Sequence, residues 1–300
     1  MGTMHRKIAK GMVVTGDDPI SVEVFGLGEW GRDSNGTRVV RLISYEPLNA
    51  EAAAEAITAA ANFVEEFKAQ LLVTPGGFGE AVPEFHGREI ETLTEAVQGY
   101  VAHLLQFIPA KRDFDIVLGV DGQGGYFQEA YFISREAQLV KECKRAWKSY
   151  PRWDEMYLYT KGKPCRNRVV FTHRDRICLL VCHDMAAFSG RSQANRGQQR
   201  EIWARQIDSE VARGPNTGLV HLIHYLDSPS EGRVFTNGME TLISSGIAWG
   251  ISTFKTNLYT TADLQGLRQI EERTTRFAGP TLDLYVRPSE SKKDSDSDNK

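Results

Sequence analysis

The stretch Arg176-Ile177-Cys178-Leu179-Leu180-Val181-Cys182-His183-Asp184 holds five consecutive apolar residues and then stops at a cysteine, a histidine and an aspartate. A run this short and this apolar, bounded by charges, predicts a strand buried on both faces. In α/β folds the ends of such strands collect reactive groups, because the sheet fixes them while the following loop opens a pocket. A cysteine there becomes a nucleophile when a neighbouring base or cation favours its thiolate. The plainer reading of Cys182 is a buried structural thiol, since cysteine is among the most buried residue types.

Two other readings of the same residues are limited by strand geometry. Cys178 and Cys182 stand four residues apart, about 13 Å at roughly 3.3 Å per residue, too far to share one ion. Neither His173 nor His183 repairs that distance, so no metal is expected. Adjacent strand residues point to opposite faces, so a dyad of Cys182 with His183 is not expected either. That leaves His183 to act through its backbone N–H or by packing beside a substrate. His221 and His224, three apart in an apolar run, are assigned to opposite faces by the same alternation.

The neighbouring segments alternate in character. Residues 38–43, 70–74, 114–120, 126–134, 169–172, 219–225, 246–254 and 281–287 are short and β-rich. Residues 49–68 and 89–107 keep apolar side chains at helical spacing, and 192–212 predicts a long polar helix. Asn49 suits a helix cap, because its side chain can accept from the free N–H groups of the first turn. Strands separated by helices and mixed with hairpins predict an α/β sandwich of mixed sheets. Residues 289–300 (SESKKDSDSDNK) have no apolar side chain to offset ordering entropy and are read as a disordered tail. Residues 1–37, rich in glycine and turn residues and with one short strand-like run from Ile20 to Phe25, are read as an irregular N-terminal extension, leaving 38–288 as one domain.

Composition sets the class. Of 300 residues, 41% are hydrophobic and 25% charged, a globular mix that excludes wholesale disorder. Thirty-six basic against 39 acidic residues leave −3, which gives no electrostatic reason to expect nucleic acid or an anionic membrane as partner. No apolar run approaches the roughly 18 residues of a membrane span, and no signal peptide is visible. Four irregularly spaced cysteines fit a reducing compartment. The expectation is a soluble cytoplasmic protein. The glycine clusters 76–79 and 122–125 match neither a dinucleotide fingerprint nor a phosphate loop.

The order of segments from about 38 to 288 resembles the nitrilase (carbon–nitrogen hydrolase) superfamily. The cysteine segment 176–184 carries the resemblance most closely, together with the run 115–119, 130–134 and 138–144. The resemblance implies a four-layer α-β-β-α sandwich and hydrolysis of a small-molecule amide or nitrile through a thioester on Cys182, without cofactor or metal. It implies Lys144 as oxyanion stabiliser, with Lys141, Arg145 and Lys148 close by, and Glu155 as supporting carboxylate. It also implies pairing into a homodimer or larger homo-oligomer. The chain departs from the family where a strand should lead to Pro-Glu, since Gly76 follows Pro75. A thiol attacking an amide needs a group to take its proton and later activate water, which an ammonium cannot do. Three outcomes stay open: Glu80 (or Glu84) reaches in from the glycine-rich loop, Glu155 serves as base, or the protein is a non-catalytic binding or assembly relative. Acyl or amidino transfer is a further possibility, because a thioester can be captured by nucleophiles other than water. Arg191, after the cysteine strand, is a candidate to face a substrate carboxylate, or else belongs to a helix start.

Overall fold

The structure, a computed structural model, describes residues 7–15, 18–26, 38–43, 48–66, 68–80, 90–122, 127–147, 168–172, 175–191, 198–224, 229–254 and 284–286. Glu155 and the tail 289–300 lie outside them.

Strands β3 (Arg38–Ile43), β4 (Leu71–Val73) and β6 (Asp115–Gly122) run parallel at the centre of the first sheet. Parallel neighbours need a crossover, and helices α1 (Ala50–Glu66) and α2 (Ile90–Phe107) supply two of them on one face. Helix α1 starts where the Asn49 side chain accepts from the Ala52 N–H at 2.9 Å. Its small stripe of Ala53, Ile57, Ala60 and Val64 is buried. On the far side, β7 (Phe127–Ile133) and β8 (Lys144–Trp147) add antiparallel, and the two-residue β5 (Gly79–Glu80) pairs with the end of β6. The N-terminal stretch, read as irregular, contains β1 (Lys7–Thr15) and β2 (Asp18–Gly26), a hairpin that joins β3. Glycine and lysine interrupt the apolar alternation of β1, which hid the strand from a periodicity reading.

The second sheet runs β13 (Leu284–Val286), β12 (Ile247–Phe254), β11 (Gly214–Ile223), β10 (Arg176–Val181), β9 (Val169–Phe171), with β10, β11 and β12 parallel. Helices α3 (Gln198–Glu210) and α4 (Pro229–Ser244) cover its outer face. The long polar helix expected from residue 192 is described from Gln198 onward. Helix α4 has no counterpart in the sequence reading, because Gly232 and Gly238 lower its helix propensity.

Among the described residues, buried apolar side chains gather in three layers, and strand alternation sorts them. Leu72, Ile116 and Leu118 face α1 and α2, while Cys178, Leu180, Leu219 and Ile223 face α3 and α4. Leu71, Val73 and Val117 meet Ile177, Leu179, Val181, Val220 and Leu222 between the sheets. The result is a four-layer α-β-β-α sandwich. Polar contacts tie the sheets together: Arg41, fully buried, donates to the Ser252 carbonyl at 2.7 Å, and the Gly76 N–H donates to the Ile223 carbonyl at 3.1 Å.

Candidate active site

Strand β10 ends at Cys182, where the backbone turns to φ +47° and enters the 3-10 turn Cys182–Phe188. A left-handed conformation is strained for a residue with a Cβ, by roughly 1–3 kcal/mol, and persists only where the surroundings enforce it. Those surroundings are explicit. His221, fully buried on β11, donates its Nε2–H to the Cys182 carbonyl at 2.8 Å, while its Nδ1 sits 3.2 Å from the Ser252 hydroxyl. Burial pulls the His221 pKa down to about 4, so this ring is neutral and holds the turn as a hydrogen-bond donor. From the other side, the Asp184 carboxylate accepts from the Val181 N–H at 3.3 Å and from Arg168 at 2.7 Å. Arg168, itself fully buried, also holds Glu210 at 2.7 Å. Asp184 is thus a structural group; its charge is absorbed by a buried arginine.

The strained turn changes where the thiol points. Cys182 packs with the residues between the sheets and is only 3% exposed. Its Sγ lies 3.1 Å from Nδ1 of His183. The sequence expectation that these neighbours diverge is therefore corrected. Alternation holds for extended backbone, and the chain leaves the extended region at Cys182 itself. The other ring nitrogen of His183, Nε2, is 3.1 Å from Oε1 of Glu231 on α4. With Nε2–H donated to this carboxylate, Nδ1 is left as the acceptor that faces sulfur. Phe235, one turn along α4, sets its ring edge-on against both His183 and His221, with centroids 5.7 and 5.1 Å away.

Sequence reasoning missed Glu231. The sequence Pro229-Ser230-Glu231 carries the signal, with proline at the first helical position and an acidic residue in the first turn.

Across the seam, the place the resemblance gives to a glutamate is closed. A Cβ on Gly76 would stand 2.8 Å from the His224 amide nitrogen and 2.8 Å from the Ile223 carbonyl carbon. The end of β11 fills the space a longer residue would need. His224, continuing the inward-facing series Val220 and Leu222, forms an ion pair through Nδ1 with Oδ2 of Asp121 on β6. His221 and His224 thus serve different sides of the sheet.

Lys144 pairs with Phe132, which pairs with Val117 and through it with Val73, so Lys144 stands three residues short of Gly76 along the strands. That is roughly 10 Å at 3.3 Å per residue. Its side chain is exposed. Arg145 lies on the opposite face, opposite Tyr131 in register and ion-paired with the buried Glu129. Glu80 pairs in register with Asp121, which brings its backbone beside the His224–Asp121 pair. Arg191 is exposed, its N–H donating to the Ser189 hydroxyl at 3.3 Å. Among the described residues, no group of three histidine, cysteine or carboxylate side chains is placed to hold a metal. Among the described residues Cys143, Cys178 and Cys182 are not joined in a disulfide, and no described helix is long and apolar enough to cross a membrane.

The Cys182 strand lies inside the second of two mixed sheets, each covered by a helix layer. The chain's layers and strand order are those of the four-layer α-β-β-α sandwich that the sequence resemblance implies. No family model matches the sequence, and no curated protein does. Similar solved structures include an amidase from Nesterenkonia sp., with 18% identity and a TM-score of 0.49 over 77% of this chain and 81% of that one. A variant of the Nesterenkonia sp. AN1 amidase that shows covalent addition of the acetamide moiety of fluoroacetamide at its active-site cysteine is similar at 18% identity. Its TM-score is 0.47, over 73% of this chain and 76% of that one.

Proposed function

We propose that this nitrilase-like chain is a cysteine-dependent hydrolase of carbon–nitrogen bonds in small amides. The observation that carries the reading is the line Cys182 Sγ, His183 Nδ1, His183 Nε2, Glu231 Oε1, with 3.1 Å at each hydrogen-bonded step, mounted on a strained strand end. Nucleophile, base and orienting carboxylate stand in the order that activates a thiol.

His183 accepts the thiol proton at Nδ1, and Glu231 stabilises the imidazolium that forms. The thiolate adds to the amide carbonyl carbon. The tetrahedral adduct collapses by breaking the C–N bond, the amine leaves with a proton from His183, and Cys182 is left as a thioester. Water then hydrolyses the thioester, releasing the acid and restoring the thiol. The exposed Lys144 takes no part in these transfers, and neither Glu80 nor Glu155 is required for the first of them. Nitriles would enter by the same thiolate addition. The free thiols fit a reducing, cytoplasmic setting, and pairing into homodimers is part of the reading. Gly76 favours a second reading, a non-catalytic binding or assembly protein, because the position the resemblance gives to a proton-transferring glutamate cannot hold one.

A panel of small amides and nitriles, with release of ammonia as readout, separates the two. The hydrolase reading expects turnover that Cys182→Ala lowers by about 10^4-fold or more, since the nucleophile itself is gone. No turnover across the panel, and no acyl adduct on Cys182 by intact mass, would leave the binding protein.

A further inference from the structure

We propose that His224, held by Asp121, is the acid–base residue of the second half-reaction and takes over the water-activating work of the glutamate that Gly76 replaces. The inference rests on the cysteine-hydrolase reading and deepens it.

Placement is the first ground. The register of β10 with β11 ends at Val181 opposite Leu222, so Cys182 stands level with Ile223, the last residue of β11. Parallel neighbours lie about 4.8 Å apart, which puts His224 one residue beyond the cysteine's own level on the adjacent strand. Both side chains belong to the inter-sheet side: Cys182 packs there, and His224 reaches across the seam to Asp121. Gly76 donates its N–H to the Ile223 carbonyl, so the Gly76 backbone lies against the end of β11 next to His224.

The backbone around the pair is shaped to admit it. Gly77 has φ +64°, and a Cβ on it would collide with the Asp121 carboxylate and come within 2.8 Å of His224 Nδ1. A Cβ on Gly119, two residues before Asp121 on β6, would collide with the Pro75 carbonyl. Gly77 thus leaves room for an imidazole from one sheet to meet a carboxylate from the other, while Gly76 and Gly119 let the Pro75–Gly76 backbone lie against β11 and β6.

The chemistry of the pair is the third ground. Nδ1 of His224 faces the Asp121 carboxylate, so Nε2 is the ring nitrogen turned away from it and the one assigned to the proton transfer. Asp121 is 2% exposed, and Gln128, opposite it in register, is 4% exposed. Asp121 Oδ1 and Gln128 Oε1 are buried acceptors without a hydrogen-bond partner. Such atoms call for a molecule that brings O–H or N–H donors, as attacking water and a departing amine both do. In the step, Nε2 takes one proton from water as its oxygen bonds to the thioester carbonyl carbon. The adduct then breaks its C–S bond, and the departing thiolate receives that proton. Acid and free thiol are the products.

The test acylates the full chain with p-nitrophenyl acetate, an activated ester that needs no specific recognition, and follows the adduct on Cys182 by intact mass and peptide mapping. In His224→Gln the adduct forms as in the native chain and decays at least tenfold more slowly. Asp121→Asn, which keeps the shape and removes the charge, slows decay in the same direction. Decay in the native chain rises with pH through the imidazole range and levels off, and His224→Gln loses that step, a change that a merely structural role would not produce. Formation on Cys182 with native decay rates and pH profiles in both variants overturns the inference and leaves the hydrolase reading standing. An adduct that never forms on Cys182 in the native chain overturns both.

Discussion

The two sides of the inter-sheet seam differ in what the sequence has kept. On the β10 side the cysteine segment keeps its expected sequence, and the described groups that shape it are Asp184 under Arg168, His221 on the Cys182 carbonyl and Glu231 on His183. On the β4 side the strand and its Pro75 are present, but Gly76 leaves no side chain, and the backbone of β11 occupies the place. The difference teaches that the proposed chemistry, if it is kept without its named residue, must draw its replacement from the neighbouring strand. In the proposal, proton-accepting groups come from the cysteine's own side of the seam, from the residue after it and from the end of β11.

The largest stability effect is expected where the β10 side is most buried. Arg168 carries two ion pairs with no exposed surface of its own, and Arg168→Ala would leave Asp184 buried and uncompensated. A loss of about 3–5 kcal/mol is expected, read as a lower urea midpoint. A loss below 1 kcal/mol would break the claim that this arginine holds the cysteine turn.

The next effect is a pH dependence. Folded His221 titrates at about 4 against about 6.5 for an unfolded histidine. Between these values the unfolded chain binds more protons, so stability rises with pH across the window and is lost as pH falls from about 6.5 towards 4. At about 1.4 kcal/mol per pKa unit, His221 contributes roughly 3 kcal/mol to that slope. Urea titrations at stepped pH should show it, and His221→Gln should flatten it. An unchanged slope in the variant would place the pH dependence elsewhere.

A smaller effect sharpens the contrast with the β4 side. Gly76→Ala puts a methyl against the His224 and Ile223 backbone and should lower stability by about 1–3 kcal/mol, as overpacking does. A neutral Ala variant would show that the β11 backbone moves aside easily and that the position is open after all.

Much of this was legible before any coordinates. The helices at 49–68 and 89–107, the hairpin of β6 and β7, and the cysteine at the end of an apolar strand all follow from periodicity and capping, and the structure has them. What was hidden has specific causes. The alternation rule separated Cys182 from His183, yet the rule lapses at a positive φ that no single residue type announces. Glu231 sat on a helix weakened by two glycines. The Asp121–His224 pair joins residues 103 positions apart, from two different sheets, and only tertiary structure brings them together.

The central claim is that Cys182 is activated by His183 and Glu231, and alkylation kinetics test it most directly. Peptide mapping after brief exposure of the native chain to iodoacetamide at pH 7 should find Cys182 labelled ahead of Cys143, whose thiol burial pushes up to about 11. In His183→Gln the Cys182 rate should fall by about 10^2-fold and regain an ordinary thiol pH profile, with a smaller loss in Glu231→Gln. Cys182 labelling no faster than Cys143, or at one rate in all three proteins, would contradict the account and return Cys182 to the role of a buried structural thiol.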